Sequence, residues 1–154
     1  MSGAITVREA RPDDFDAWLP LWEGYNAFYE RAGPTAVPQS MTRLTWQRFF
    51  DAYEPMHALV AEAAGGRRVG FVHYVFHRHT TMVGPICYLQ DLFTAADVRG
   101  QGVGRSLIEA VYARAKAAGS PRVYWQTHET NATARLLYDR LATNSGFIVY
   151  RREL

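Results

Sequence analysis

The chain has 154 residues, 48% of them hydrophobic and 21% charged, with a formal net charge of +2. This balance fits a globular protein that buries a sizeable core, and a single domain spanning residues 1–154 is expected. No Lys/Arg stripe is interleaved with aromatics, so no nucleic-acid partner is expected. No apolar run approaches about 20 residues, so no membrane span is expected either. One cysteine excludes an internal disulfide and fits a reducing, cytoplasmic setting.

Residues 5–8 read as a first strand, and the N-terminus lacks the apolar core of a secretory signal. Arg11-Pro12-Asp13-Asp14 reads as the turn opening a helix made unusually aromatic by Phe15, Trp18, Trp22, Tyr25, Phe28 and Tyr29. Pro20 is expected to split or kink it. A loop from Gly33-Pro34 to Ser40 precedes a second helix, which starts near Thr42 and carries Leu44, Phe49, Phe50 and Tyr53. Residues 56–62 and 69–77 form a strand pair turned at Gly65-Gly66, and residues 86–93 form the next strand. Val103, Leu107, Val111 and Ala115 recur every four residues, with Ile108 and Tyr112 widening the stripe, so a third helix follows and ends at Gly119-Ser120-Pro121. Residues 122–126 read as a strand, 131–141 as a fourth helix and 147–151 as a closing strand. The order β-α-α-β-β-β-α-β-α-β predicts an α/β fold with a mixed sheet.

Between the strand at 86–93 and the third helix runs Arg99-Gly100-Gln101-Gly102-Val103-Gly104-Arg105-Ser106. A Gly-rich turn at a helix N-terminus offers free backbone N–H groups to an anion, and the macrodipole favours negative charge there. The turn lacks the Gly-Lys-Ser/Thr ending of a nucleoside-triphosphate loop. Its Gly-x-Gly-x-Gly spacing also differs from the dinucleotide fingerprint.

What the segment does resemble is the acetyl-CoA pyrophosphate loop of the GNAT superfamily of N-acetyltransferases, whose pattern Gln/Arg-x-x-Gly-x-Gly/Ala is matched in full from Arg99 to Gly104. The strand Tyr88-Leu89-Gln90-Asp91-Leu92-Phe93 is similar to that family's central strand. The resemblance implies a mostly antiparallel mixed sheet flanked by four helices. It implies that acetyl-CoA is held by Leu92, Phe93 and Thr94, by Arg99, Gly100, Gln101, Gly102, Val103, Gly104, Arg105 and Ser106, and by Asn131, whose counterpart hydrogen-bonds the pantetheine arm. Asn131 and Tyr138 stand seven residues apart, on nearly one face of a helix. The resemblance makes Tyr138 the general acid that protonates the departing thiolate. A backbone N–H near Phe93 is expected to hold the oxyanion.

A lysine-like amine must shed a proton before it attacks, at a cost of about 4 kcal/mol near neutral pH. Gln90 stands where some polyamine-acetylating relatives carry Glu, which leaves Asp91 and Glu129 as candidate bases, with Asp91 equally suited to accept from loop N–H groups. Cys87 is expected to be a buried structural thiol, which favours direct transfer in a ternary complex over an acetyl-enzyme. His73, His77 and His79 are expected on a surface or sheet face, with no metal site. Trp22, Tyr25, Phe28 and Tyr29, with Glu23 or Glu30, are candidates to line an amine cleft. The shortened C-terminal strand region, with residues 124–131, resembles the branch of yeast histone- and polyamine-acetylating enzymes and the spermidine/spermine acetyltransferases, and implies a homodimer. The expected activity is acetylation of a small amine or polyamine. The alternatives are a peptide or protein lysine acceptor, or a non-catalytic acyl-CoA-binding module.

Overall fold

In the computed structural model, which describes residues 3–154, the aromatic run after Pro12 folds as one helix, α1 (Phe15–Phe28), and Pro20 does not interrupt it. Pro20 lies near the N-terminal end, so its missing N–H costs one early intrahelical bond and the later turns continue. Helix α2 (Gln39–Arg48) starts ahead of Thr42, because the Pro38 carbonyl accepts from both Met41 and Thr42 N–H and sets the first turn. Together α1 and α2 bury Trp18, Trp22, Tyr25 and Trp46 against Val60 and Phe71 of the sheet.

The sheet has five strands in chain order: β1 (Thr6–Glu9), β2 (Met56–Glu62), β3 (Arg68–His77), β4 (Ile86–Thr94) and β5 (Val123–Tyr124). The first four run antiparallel and β5 pairs parallel to β4. Helix α3 (Val103–Ala117) covers the other face, with Val103, Leu107, Ile108, Val111 and Ala115 all buried, as the four-residue stripe predicts. Helix α4 (Ala132–Leu141) packs Leu137, Tyr138 and Leu141 against that same cluster. Gly70 lets α3 approach the sheet closely: a Cβ there would stand 2.9 Å from the Phe93 carbonyl oxygen and 3.3 Å from a Val103 methyl.

Two bulges break the alternation. One falls between Ala61 and Glu62 on β2, opposite Arg68 to Gly70. The other lies in the β3–β4 ladder, where His73 pairs Asp91 and Tyr74 pairs Leu89, so that Gln90 is the extra residue. Below the bulge Cys87 and Leu89 join the α3-side core; above it Asp91 and Phe93 turn toward α1.

Two strands come out shorter than expected. Residues 122–126 pair with β4 only at Val123 and Tyr124. Residues 147–151 form no strand: among the described residues they pair with no neighbouring strand, and a strand exists only where a ladder partner accepts its hydrogen bonds. Phe147, Ile148, Val149 and Tyr150 stand 64% or more exposed.

The buried carboxylate of Asp14 ties the first layers together. It accepts two bonds from the Arg8 guanidinium (2.8 and 3.0 Å), one from Arg68 (3.0 Å) and one from the Arg11 N–H (2.8 Å). Arg8 above all holds this carboxyl well below the usual carboxylate range. Because the folded carboxyl ionises below its unfolded value near 4, its stabilisation is complete above about pH 5 and is lost as pH falls below about 4. Asp14→Asn, which leaves two guanidinium groups short of an anion, is expected to destabilise by about 3 kcal/mol and to flatten the acid limb of a urea-unfolding pH series.

Candidate active site

The end of β4 leads through a 3-10 turn (Ala96–Val98) into the Gly-rich loop. Gly100 and Gly102 take φ of +80° and +82°, the left-handed region that a side chain resists, and nothing lies within 4 Å of a Cβ at either. Gly102 is the N-cap of α3 and offers no side-chain acceptor, so the N–H groups of the first turn are left for an outside anion. The Ser106 N–H is already bonded to the Gly102 carbonyl. Arg99 lies over the Phe93 ring at 5.5 Å, and Arg105 pairs with Glu109 at 2.9 Å one turn along. This donor set fits a phosphate or pyrophosphate.

Gly104 has ordinary helical φ. A Cβ there would come within 3.7 Å of a Leu137 methyl and 3.9 Å of the Thr94 methyl. The end of β4, the loop and α4 therefore meet at one place. Asn131 stands at the N-cap position of α4, but its side chain donates to the Thr127 hydroxyl (3.2 Å) rather than accepting from the first turn. Tyr138 packs edge-on to Trp125 with ring centres 5.4 Å apart, and its hydroxyl has no hydrogen-bond partner among the described residues. Burial, with a smaller contribution from Tyr29, raises this phenol above its usual range, so it carries its proton at neutral pH.

The second half of the site is a cleft of about 630 Å³ between α1, α2 and the sheet, with Trp22, Tyr25, Phe49, His73, Gln90 and Asp91 in its walls. Gln90 and Asp91, consecutive in sequence, both reach it, which the bulge allows. The Asp91 carboxylate accepts from the Tyr25 hydroxyl at 2.7 Å on one oxygen and meets His73 Nδ1 at 2.9 Å on the other. The Trp18 indole N–H donates to His73 Nε2 at 3.1 Å. That bond makes Nε2 the acceptor and leaves Nδ1–H to face Asp91. His73 is 2% exposed and lies against Phe71 and Phe49, each with ring centres 4.5 Å away. Burial and the adjacent Asp91 charge hold the Tyr25 phenol protonated far above its ordinary range. The network leaves one face of a carboxylate open in an aromatic wall, a setting that attracts an ammonium group.

The site residues read from sequence thus fall into two groups. Thr94 and Arg99 to Ser106 lie at the start of α3 beside Leu137 of α4, the helix that carries Tyr138 and follows Asn131; Leu92 packs in the α3-side core, Phe93 turns toward α1, and Asp91 faces the α1–α2 cleft. Tyr29, stacked edge-on to Tyr25 at 5.2 Å and adding to the rise at Tyr138, stands between the groups. Of the amine-cleft candidates, Trp22 and Tyr25 line the cleft, Glu23 lines a neighbouring pocket, Phe28 is 62% exposed, and Glu30 lines neither. Glu129 is exposed and is not a cleft residue.

His73 lies on a face of the sheet, as expected, but it is buried there under α1 and meets Asp91. His77 reaches Tyr124 (2.8 Å) and His79 holds Thr81 (3.0 Å). Arg31, Asn26 and Glu54 also line the cleft and had no sequence signal. Cys87 is buried on the α3 side, and burial pushes its thiol up to about 12.

Residues 18–142 match the acetyltransferase (GNAT) family. The D-amino-acid N-acetyltransferase HPA3 of Saccharomyces cerevisiae is 36% identical over 149 residues, covering 96% of this chain and 90% of that protein. Among solved structures, a ribosomal-protein-alanine N-acetyltransferase from Brucella melitensis biovar Abortus 2308 superposes with a TM-score of 0.81 over 98% of this chain and 100% of its own, at 18% identity. AAC(6')-Iy, in complex with the bisubstrate analogue CoA-S-monomethyl-acetylneamine, gives 0.83 over 99% of each chain at 17% identity. At those identities the two structures speak for the fold alone. The family match spans both the anion-binding loop and the cleft, and with it the chain belongs to the GNAT acetyltransferases, as an acetyl-CoA-dependent N-acetyltransferase.

Proposed function

We propose that this chain, acting as one catalytic domain, acetylates the primary amine of a small molecule by direct attack in a ternary complex. The observation that carries this reading is the course of β4. One strand runs from Asp91, in the cleft wall, to Thr94, beside the free N–H groups of α3, with no β5 partner beyond Tyr88. This course supports a reading in which donor and acceptor meet along one rigid element. The size of the cleft and the activity of the yeast relative, on D-amino acids, favour a small acceptor over a protein lysine.

Bound acetyl-CoA supplies the thioester. The α3 N-terminus, Arg99 and Arg105 hold its phosphates, and Asn131 faces the pantetheine arm. Asp91 draws the ammonium form of the acceptor into the cleft and accepts its proton, which passes to solvent. A backbone N–H near Phe93 on the open edge of β4, that of Leu92 or Thr94, meets the oxygen that gains charge as the amine nitrogen bonds to the carbonyl carbon. Tyr138 donates to sulfur as the C–S bond breaks and is reprotonated by the second proton leaving nitrogen. The Gln90 amide cannot act as a base, so this role rests on Asp91.

Tyr138→Phe is expected to lower kcat about 100-fold with little change in the acetyl-CoA Kd, read by thiol release. Undiminished release would remove Tyr138 from the chemistry, and binding without release on any amine would favour the acyl-CoA-binding module. Because burial holds Tyr138 protonated beyond its usual range, wild-type kcat at saturating acceptor is expected to show no alkaline decline below about pH 10.

Direct transfer also predicts an unreactive Cys87. Its thiol should resist a thiol-modifying reagent at pH 8 in the native protein and react at once in denaturant, and no acetylated protein should appear on mixing with acetyl-CoA alone.

We further propose a cytoplasmic homodimer in which the exposed segment 147–150 pairs with a second copy, supported by the two-residue edge strand β5 and by four consecutive exposed apolar or aromatic side chains. Light scattering at micromolar concentration is expected to give twice the chain mass, and deletion of residues 145–154 to give the monomer. A full-length monomer would overturn the assembly.

A further inference from the structure

We infer that Arg31 is a carboxylate receptor in the acceptor cleft, and that the acceptor is a free α-amino acid bound through both of its charges, with its ammonium at Asp91 and its carboxylate at Arg31. This rests on the reading above that the Asp91 cleft holds the acceptor.

Arg31 is delivered by the way α1 ends. Glu30 adopts φ +61° although it is not glycine. The Arg31 N–H donates to the Asn26 carbonyl (2.9 Å) and the Glu30 N–H to that of Ala27 (3.0 Å). These two bonds form a Schellman turn, usually built on glycine, which folds the chain back over the helix. The side chain is then fixed at a second point, because Arg31 Nε donates to the Asn26 Oδ1 at 2.7 Å. Asn26 is itself 4% exposed and anchored by its own bond to the Trp22 carbonyl at 2.9 Å. The guanidinium lies over the Tyr29 and Tyr25 rings, at 5.1 and 5.7 Å.

With Nε engaged and the plane stacked, the two terminal amino groups are left. Neither finds a hydrogen-bond partner, and no carboxylate lies within 4 Å, among the described residues. Such a stacked, oriented and unpaired fork matches the geometry of a carboxylate.

The other charges facing the cleft fix the orientation. Asp91 is the anion at the β4 end, and the second carboxylate in the wall, Glu54, is already occupied by Arg48 at 3.8 Å. Tyr25 spans the two poles: its ring lies under Arg31 and its hydroxyl is bonded to Asp91. An amino acid complements this pair, its nitrogen lying toward β4 where the thioester is expected. A polyamine would bring a second cation toward Arg31. Trp22, Phe49 and Val37 in the walls suit an apolar side chain.

The test compares both enantiomers of phenylalanine with phenylalaninamide and phenethylamine, corrected to equal concentration of the ammonium form, for wild type, Arg31→Met and Arg31→Lys. Wild type is expected to favour the better phenylalanine enantiomer over both analogues lacking the carboxylate by about 10- to 100-fold in kcat/KM, mainly through KM. Arg31→Met is expected to collapse that ratio toward one, and Arg31→Lys, which keeps the charge but loses the fork, to leave it between the two.

A purely structural arginine capping α1 would lower all three substrates in proportion and keep the ratio, which would overturn the proposal; melting temperatures record any loss of fold. Equal kcat/KM on all three substrates by wild type would overturn the carboxylate proposal and leave the acceptor cleft standing. Failure to acetylate any of them, or an Asp91→Asn variant with unchanged kinetics, would overturn the cleft reading and this proposal with it.

Discussion

A carboxylate drawn out of water must be met by donors, and at Asp91 that requirement organises the surrounding aromatic layer. Its two oxygens are taken by Tyr25 from α1 and His73 from β3, and the free nitrogen of His73 is taken by Trp18, again from α1. Each partner is buried, so each can hold only one useful orientation. The packing of α1 against the sheet and the placing of one negative charge in the cleft are therefore a single arrangement. Losing Trp18 or His73 would disturb the charge as well as the core.

The strand that carries Asp91 divides the labour of the site along its length. Below the bulge at Gln90, Cys87 and Leu89 supply core side chains to the α3 face; just above it Asp91 turns to the α1–α2 cleft, and the end of the strand feeds the loop that leaves backbone N–H groups free at α3. The extra residue costs one ladder pairing and aims Gln90 and Asp91 into one cleft. Beyond Tyr88 the β5 chain no longer pairs with it, so the part of β4 closest to the proposed chemistry keeps an open backbone edge.

The two ends of the site use different sources of charge. At the α3 N-terminus the positive charge comes from peptide dipoles and free N–H groups, with Arg99 and Arg105 exposed beside them. In the cleft, whole side-chain charges act inside aromatic walls, where each is worth more than in water.

The sequence by itself determined the elements whose signal is local. The four-residue stripe from Val103 to Ala115 faces the sheet as read. Gly100 and Gly102 take the left-handed conformations that their lack of a side chain permits, and the spacing of Asn131 and Tyr138 falls on one helix. These depend on residues a few positions apart, which backbone geometry relates directly. The tertiary structure alone decided the rest. His73 meets Asp91 across 18 residues through strand register, and Trp18 meets His73 across 55. A period-two reading would leave Asp91 on the same face as Leu89, because nothing local marks Gln90 as a bulge. Residues 147–151 carry strand-forming side chains yet form no strand, because a ladder depends on a neighbour, and no composition of its own segment can supply one.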